Sequence, residues 1–516
     1  MDQTLGAAYS FGLDLGTHRS LMAVKAKGGT VEAIIPSNQE CRKGIPSLFW
    51  RTSESDGGRE LLCEQVALEQ GEVNDPEGVV RSVKTRLLEQ KPIVLHGRSY
   101  TPQDIAAKEV GHVYALSLSE AEERGIFETP KALTVGVPVR FGAAERTAIR
   151  SVLSKALPDM PIQLLPEPMA AAIYYAASAR QKTRYTLAFD MGAGTFDVCV
   201  LESVENDPRE PYPFRQLSHD GSREAGDLLD EKMEELILDK LRRDPGSIDM
   251  KSFSPGSYDL RALRKTAREA KEALSSAPQF TAIVTSLASR GIQRVTLHRE
   301  EYEARIEPVV RRAVDLAEKA LREAKIWQSP DLTVLMVGGS TYIPLVRRLL
   351  QERFPWLDSK TQVVQRLPDQ AVALGCALFA ERPLADRKVR FAYAIKAYRG
   401  NSDEQFLYVC IPMNCTLPCS VSGRFSTRLQ EQDNVALKIF EVDHGAPLER
   451  IPVKEGRFTQ LIARHSFGKP VPKGTSVLVT TELSKDGLLT LTVDDGGIST
   501  QGVTRHTFDI VRSLDD

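Results

Sequence analysis

The feature that most constrains the fold of this chain is a short pattern that occurs twice. An apolar strand ends in Asp, a glycine-rich turn follows, and a Thr leads into another strand, at 11–17 and again at 189–195. Glycine lets backbone N–H groups approach phosphate oxygens closely, because no Cβ intervenes. Asp14 and Asp190, at the strand ends, are suited to hold a hydrated metal ion against those phosphates. Two facing copies predict a two-lobed clamp around a polyphosphate.

Length and composition limit the alternatives. The 516 residues are too many for one core and indicate about two to four domains. Lys and Arg number 67 against 69 Asp and Glu, so we expect no nucleic-acid partner and no membrane surface. Residues 1–10 lack the features of a signal peptide, and no apolar run reaches the length of about 18 residues that spans a bilayer. Seven scattered cysteines fit a reducing compartment, which predicts a cytoplasmic protein.

The order of predicted elements divides the chain. Residues 1–200 read as strands and helices in mixed order, with a strand at 132–138 and helices at 146–157 and 168–175. Residues 202–330 carry apolar residues at helical spacing, which predicts a mostly helical segment. A strand and turn at 333–340 resemble the first two motifs, so we expect a third turn that faces phosphate or base.

The pattern changes after residue 380. A polar, proline-containing stretch predicts a linker, and alternating apolar residues then predict strands. Strands at 477–483 and 488–493 flank a predicted hairpin turn at 484–487. The long β-rich stretch, with no long helix after it, predicts a separate sandwich domain.

Six segments in order resemble the 70-kDa heat-shock chaperone family, the DnaK-like proteins. They are Leu13–Thr17, Leu165–Ala172, Phe189–Asp197, Ala270–Ser276, Val337–Pro344 and Pro368–Gly375. One glycine turn is weak evidence of kinship, whereas six segments in the family's order are specific. The resemblance implies an α/β, actin-like, two-lobed ATPase domain over 1–382, a linker over 383–391, and an all-β sandwich domain over 392–516 without the family's helical lid.

The resemblance assigns catalytic roles to four residues. Lys84 matches the lysine that contacts the γ-phosphate and positions the attacking water, and Glu167 belongs to the network that orients water and magnesium. Asp190 belongs to the same network, and Thr195 is expected to contact the γ-phosphate. Catalysis would then rest on positioning and electrostatics, with no covalent intermediate.

The resemblance also implies the ligands, which are ATP or ADP with Mg²⁺, and K⁺ is a further candidate ion. Asp14, Asp190 and Asp197 are expected to meet the magnesium through water. The nucleotide contacts that it implies come from the three turns and from one helix of the second lobe: Asp14, Gly16, Thr17, His18, Arg19, Gly192, Ala193, Gly194, Gly226, Lys271, Ser275, Gly338, Gly339, Ser340, Tyr342 and Asp369.

The chain departs from the family at several of these positions. Glu272 and Tyr342 stand where many relatives have an adenine-facing arginine, although an aromatic ring can stack on a base. His18 replaces the usual Thr and is followed by Arg19. We favour a loop that holds phosphate through its backbone; alternatively these side chains add positive charge, with His18 conferring pH sensitivity. Ala193 replaces a glycine and would be strained only at positive φ.

The segments that would couple the two domains show a mixed resemblance. Pro138 and Arg146 match the family's proline switch, which relays the nucleotide state. The linker segment Leu384–Phe391 lacks the family's apolar run and carries three cations. In the family an extended apolar peptide threads between loops of the sandwich, and here the first such loop, Tyr398–Gln405, is polar.

These expectations define a predicted function and two alternatives. The prediction is an ATP-dependent, chaperone-like protein that slowly hydrolyses ATP and so regulates the binding of extended or unfolded polypeptides. A J-type co-chaperone and a nucleotide exchange factor are the implied partners, and we expect a monomer. The polar loop and altered linker favour a non-hydrolysing, nucleotide-sensing protein that docks one partner. A sugar-kinase-like phosphotransferase would share the Asp-x-Gly-Thr turn but would leave the β domain unexplained.

Overall fold

The computed structural model divides the chain into two compact units. It describes residues 9–37, 44–63, 71, 75, 77–89, 91–141, 143–178, 183–204, 213–243, 258–285, 292–380, 392–399, 402–413, 415, 418–442, 450–484, 488–499 and 502–509. The first unit comprises 1–139, 152–203 and 216–381, and the second comprises 140–151, 204–215 and 382–516. Within the described ranges, no helix is long and apolar enough to cross a membrane.

Helices and strands alternate through the first unit, and strands dominate the second. The helices are α1 (Pro102–Glu123), α2 (Ala143–Ala156), α3 (Glu167–Ser178), α4 (Gly226–Arg243), α5 (Tyr258–Ser276), α6 (Arg299–Glu323), α7 (Pro344–Arg353) and α8 (Ala371–Ala380). The strands are β1 (Tyr9–Leu15), β2 (Arg19–Ala26), β3 (Val31–Ile34), β4 (Ile45–Pro46), β5 (Leu48–Arg51), β6 (Glu60–Leu62), β7 (Val79–Arg81), β8 (Ile93–Leu95), β9 (Arg98–Tyr100), β10 (Leu133–Val137), β11 (Ile162–Pro166), β12 (Tyr185–Met191), β13 (Phe196–Ser203), β14 (Phe214–Ser222), β15 (Gln279–Thr285), β16 (Ile292–His298), β17 (Leu332–Val337), β18 (Val363–Gln365), β19 (Ala392–Tyr398), β20 (Gln405–Ile411), β21 (Cys419–Ser426), β22 (Gln432–Val442), β23 (Arg450–Pro452), β24 (Gly456–Val471), β25 (Ser476–Leu483), β26 (Leu488–Asp494) and β27 (Val503–Asp509).

The first unit contains two mixed sheets that share one strand order. The first sheet runs β11-β10-β1-β2-β3, with β4 on β2, and the second runs β14-β13-β12-β17-β18. In each sheet the strand that precedes the glycine turn pairs antiparallel with the next strand and parallel with a later one. The repeated turn in the sequence therefore marks a repeated sheet, and each turn joins the corresponding hairpin.

Helical crossovers complete this repeated arrangement. Parallel neighbours need a crossover connection, and α2 joins β10 to β11 as α7 joins β17 to β18. Helix α8 then returns to the first sheet, where Ala373, Leu374 and Ala377 pack with Leu21 and Ala23 in one buried cluster. The second sheet is covered by α4, α5, α6 and α7, whose apolar faces share a core with β12, β13 and β17.

The prediction of a mostly helical segment over 202–330 is wrong in part. Helices α4, α5 and α6 lie there, but β14 and the antiparallel hairpin of β15 and β16 lie there as well. In this hairpin, Ala282 and Val284 on one strand and Val295 and Leu297 on the other are buried. This period of two over short strands is easily hidden between long amphipathic helices.

The described strands of the second unit form two main sheets, in the orders β23-β20-β19-β22-β24 and β21-β25-β26-β27. Alternating residues such as Leu437 and Ile439 from the first sheet and Leu489 and Leu491 from the second enter one shared core. β25 and β26 pair antiparallel, so the predicted hairpin is confirmed. The turn residues 485–487 and the predicted linker 383–391 lie outside the described residues.

Candidate functional site

The two repeated turns face each other within the first unit. A Cβ placed on Gly194 would lie 3.3 Å from Cγ2 of Thr17 and 3.7 Å from Oδ2 of Asp227. The first turn, between β1 and β2, and the second turn, between β12 and β13, are thus in near contact. This brings together the residues that the two motifs nominate as phosphate ligands.

The second turn is bound to the start of α4 and to the third turn. The amide N–H groups of Gly226 and Asp227 donate to the carbonyls of Gly192 and Ala193 at 3.1 and 2.7 Å. The Ser340 hydroxyl donates to the Gly192 carbonyl at 3.0 Å. Ala193 is not among the described residues with positive φ, so the loss of a glycine there brings no backbone strain.

The third turn lies directly against Asp190. Gly338 has a φ of +82°, and a Cβ there would lie 2.4 Å from the Met191 carbonyl oxygen and 2.6 Å from Oδ1 of Asp190. Only glycine suits this backbone and this approach. At the next residue, Gly339, an added Cβ would meet open space. The predicted strand, turn and helix are β17, a short 3-10 helix over Gly339–Tyr342, and α7.

Lys84 and Glu167 form a half-buried ion pair. The Lys84 Nζ lies 2.8 Å from Oε1 of Glu167, and their side chains are 12% and 15% exposed. Lys84 sits in the 3-10 helix Val83–Arg86, and Glu167 begins α3. Ser82, in the left-handed region at φ 56°, donates its hydroxyl to the Thr17 carbonyl at 3.3 Å. The element that carries the lysine is therefore tied to the first turn.

Three carboxyl groups lie near this pair: Asp14 and Asp190 are half-buried, and Asp197 is buried. Burial, with the negative charge of Glu167, raises the pKa of Asp14 to about 7 although Lys84 acts in the opposite sense. Burial, with the charges of Glu167, Asp197 and Asp14, also raises the pKa of Asp190 well above its ordinary value. Asp190 and Asp197 lie opposite each other in the register of β12 and β13. Such a concentration of acids favours a cation.

The acids do not converge as direct metal ligands. Across the described ranges, no group of three or more His, Cys, Asp or Glu side chains is arranged to hold a metal ion. The expected contact of Asp14, Asp190 and Asp197 with magnesium through water stays a prediction.

The residues expected at the base lie on two elements. On α5, Lys271 Nζ pairs with Oδ1 of Asp230 at 2.6 Å, and the Ser275 hydroxyl donates to the Lys271 carbonyl at 3.0 Å. Beyond the third turn, the Tyr342 hydroxyl donates to Oδ1 of Asp369 at 3.0 Å. Burial and the charge of Asp369 raise the pKa of Tyr342. Tyr342 is 41% exposed, so its ring retains a free surface.

The two unusual side chains of the first turn, His18 and Arg19, have different surroundings. The His18 Nε2 lies 2.9 Å from Oδ1 of Asp227, at the start of α4. The Arg19 guanidinium donates through Nη1 to the Gly44 carbonyl at 2.9 Å, on its own side of the unit. His18 therefore reaches across to the second turn's half of the unit.

The candidate switch residues fall in different units. Pro138 directly follows β10 and is buried in the first unit. Arg146 lies in α2, within the part of that helix that groups with the second unit, and it is 1% exposed. Their proposed relay of the nucleotide state stays a prediction.

Sequence reasoning missed two acidic residues of this site. Asp227 and Asp230 occupy the first turn and a half of α4, and they pair with His18 and Lys271. The signal in the sequence is the Gly226-Asp227-x-x-Asp230 spacing at the start of an amphipathic helix. This spacing places both carboxylates near one face of the helix, toward the turns.

A duplicated α/β sheet with facing glycine turns, followed in the chain by a β-rich segment, is consistent with an actin-like ATPase domain and a β-sandwich domain. A family model described as Hsp70 protein matches residues 73–505. The chain is thus a member of the Hsp70 family, and the resemblance is confirmed; five of its six ordered segments fall within the matched residues. Membership implies an actin-like ATPase domain and a β-sandwich, and makes this a chaperone-type ATP-binding protein in general terms.

Proposed function

We propose that the first unit binds ATP with magnesium between its facing turns and hydrolyses it slowly. Binding of ATP would then regulate how the β-sandwich holds extended polypeptide segments. The observation that carries the proposal is the meeting of three elements at one place: the facing turns at Thr17 and Gly194, the Lys84–Glu167 pair, and the half-buried carboxyl groups of Asp14 and Asp190.

The donor set fits a hydrated magnesium ion. Asp14, Asp190 and Asp197 are the residues that would hold it, through water, because they are neighbouring acids, half-buried or buried, with a shared excess of negative charge. When bound, Mg²⁺ supplies positive charge that neutralises phosphate oxygens. The raised pKa of Asp14 and Asp190 supports a cation at this place, because a nearby positive charge would favour the ionised form of both carboxyl groups.

Lys84 and Glu167 are suited to complementary tasks. The Lys84 ammonium would stabilise the negative charge that develops on the terminal phosphate oxygens. Glu167 holds this ammonium through Oε1, and its second oxygen is able to accept a hydrogen bond from the attacking water. The pair therefore positions a charge and a water without a covalent intermediate.

ATP binding is tested by the stability of the full chain. We expect millimolar Mg-ATP to raise the melting temperature by several degrees, since a ligand at about 100 times its Kd contributes about 2.7 kcal/mol of stability. ATP with EDTA should give a smaller shift. An unchanged melting temperature at millimolar Mg-ATP would contradict the proposal.

A bridge between loops bears on how the sandwich holds a peptide. The Arg428 guanidinium lies 4.1 Å from the centroid of the Tyr398 ring, and it also pairs with Asp403. Tyr398 ends β19 and Asp403 lies in the loop before β20, whereas Arg428 belongs to the turn after β21. That turn is itself anchored to residues 474 and 475. The Thr427 N–H donates to the Thr475 carbonyl at 2.9 Å, the Gly474 N–H donates to the Thr427 carbonyl at 2.9 Å, and the Thr475 N–H donates to the Thr427 hydroxyl at 3.0 Å.

This bridge also favours the second candidate function. Loops joined by Arg428 offer an extended apolar segment less free space than open loops, which suits a protein that docks one specific partner in response to nucleotide. Hydrolysis would not be needed for such a role. The absence of a helical lid stays a prediction in either case.

Peptide kinetics with Arg428→Ala separate the two candidates. An exposed cation–π contact and an exposed ion pair each contribute up to about 1 kcal/mol, so their loss should speed association and release of an extended apolar peptide by about tenfold. ATP should speed release further. Arg424→Ala, an exposed arginine on the neighbouring strand β21, is the matched control. Off-rates that ignore both Arg428→Ala and ATP would favour the single-partner protein.

A further inference from the structure

The contact between the side chains of His18 and Asp227 joins the two halves of the proposed phosphate site. His18 belongs to the turn between β1 and β2, and Asp227 is the second residue of α4. Their side chains meet at 2.9 Å. Both are partly exposed, at 26% and 52%, so the pair lies at the surface of the site and is accessible to a ligand.

Asp227 lies where an anion is favoured. Burial alone would raise its pKa, but the hydrogen bond and charge of His18, together with Lys271 and Arg81, lower it below the ordinary value. The same carboxylate lies 3.7 Å from the Cβ position of Gly194, in the second turn. The Asp227 carboxylate, which interacts with His18, Lys271 and Arg81, therefore lies close to where the turns would place a terminal phosphate.

Asp230, the next acidic residue along α4, has a different partner. Asp230 pairs with Lys271 at 2.6 Å, on the side where the base is expected. Lys271, the partner of Asp230, is expected at the base, whereas His18, the partner of Asp227, belongs to the first phosphate turn. Of these two carboxylates, Asp227 is therefore the one placed to compete with a phosphate group for a side chain of the first turn.

We propose that Asp227 competes with the terminal phosphate of the nucleotide for His18 and thereby limits how tightly and how long polyphosphate is held. His18 would exchange the carboxylate for a phosphate oxygen on binding, and would return to it on release. The inference rests on the proposed nucleotide function and adds a specificity residue that the family motifs do not nominate in this chain.

Removing the charge of Asp227 should strengthen polyphosphate binding alone. We expect Asp227→Asn to tighten ATP and ADP binding about tenfold, mainly through slower release, and to leave adenosine binding unchanged. His18→Asn should weaken ATP and ADP binding and again leave adenosine unchanged. Fluorescent nucleotide release and calorimetry on the full chain, with magnesium, measure these values. Glu231→Gln, an exposed acid on the same helix, controls for net charge and should change nothing.

The outcomes separate this inference from the function on which it rests. If wild type binds Mg-ATP but Asp227→Asn gives no gain, or an equal gain for adenosine, the competition is refuted and nucleotide binding stands. If no form of the protein binds Mg-ATP, both proposals fail. Should Asp227→Asn melt at a lower temperature than wild type, Asp227→Ser, which keeps a polar group at the helix start, provides the same comparison.

Discussion

Lys84→Ala will reduce single-turnover ATP hydrolysis by about 10²–10³-fold, the cost of removing one preorganised charge from a transition state. The ammonium that pairs with Glu167 is lost, and with it the positive charge that holds down the pKa of Asp14 and Asp190. ATP binding should persist, because the turns that face each other through Thr17 and Gly194 are untouched. Phosphate release from one equivalent of bound ATP measures the effect.

A lysine of another ion pair on the same unit provides the control. Lys108 on α1 pairs with Glu60 at 2.7 Å and is more exposed than Lys84. Lys108→Ala should hydrolyse ATP at the wild-type rate. Equal rates for Lys84→Ala and wild type would remove Lys84 from the mechanism. A wild-type protein that binds ATP but releases no phosphate would instead favour the single-partner, nucleotide-sensing function.

Gly375→Ala will destabilise the first unit by about 3 kcal/mol or more, among the large effects of a single methyl group. Its Cβ would lie 1.8 Å from the carbonyl oxygen of Ala170, which is backbone of α3 and cannot rotate away. Helices α8 and α3 must therefore separate. Because α3 begins at Glu167, ATP hydrolysis should fall as well. A fall in melting temperature of about 5–10 °C is the expected reading.

At a second glycine, we expect the same substitution to change the stability of the protein in the opposite direction. Gly111 lies inside α1, and a Cβ there would meet only the Ala156 carbonyl oxygen at an ordinary distance of 3.9 Å. Gly111→Ala should stabilise the protein by about 0.5–1 kcal/mol, because alanine loses less backbone freedom in a helix. Loss of stability in Gly111→Ala would contradict the open space beside Gly111 on α1, and unchanged stability in Gly375→Ala would contradict the close packing of α3 and α8.

Local sequence patterns were sufficient to predict an element wherever its residue types adopt few alternative structures. The Asp-x-Gly turns, the strands before them and the hairpin of β25 and β26 follow from periodicity and turn chemistry. The hairpin of β15 and β16 does not, because its short alternation lies between long amphipathic helices that dominate the pattern.

The burial and pairing of charged residues could not be predicted from the sequence. Glu109 lies inside α1, where a glutamate ordinarily faces water. The fold buries it, and this burial raises its pKa to about 8. Asp227 and Asp230 likewise belong to the candidate site because they contact His18 and Lys271, which are distant from them in the chain. No local pattern specifies which charges a tertiary fold brings together.

The sequence by itself determined the family, the paired glycine turns and the residue types that can bind phosphate and magnesium, because each depends on local backbone geometry and side-chain chemistry. Tertiary structure alone decided which groups compete inside the site. In the fold, His18 contacts Asp227, Arg19 donates to the Gly44 carbonyl, and Lys84 pairs with Glu167 near other carboxyl groups. Electrostatic interactions depend on distance and burial in three dimensions, and neither quantity is written in the order of the residues.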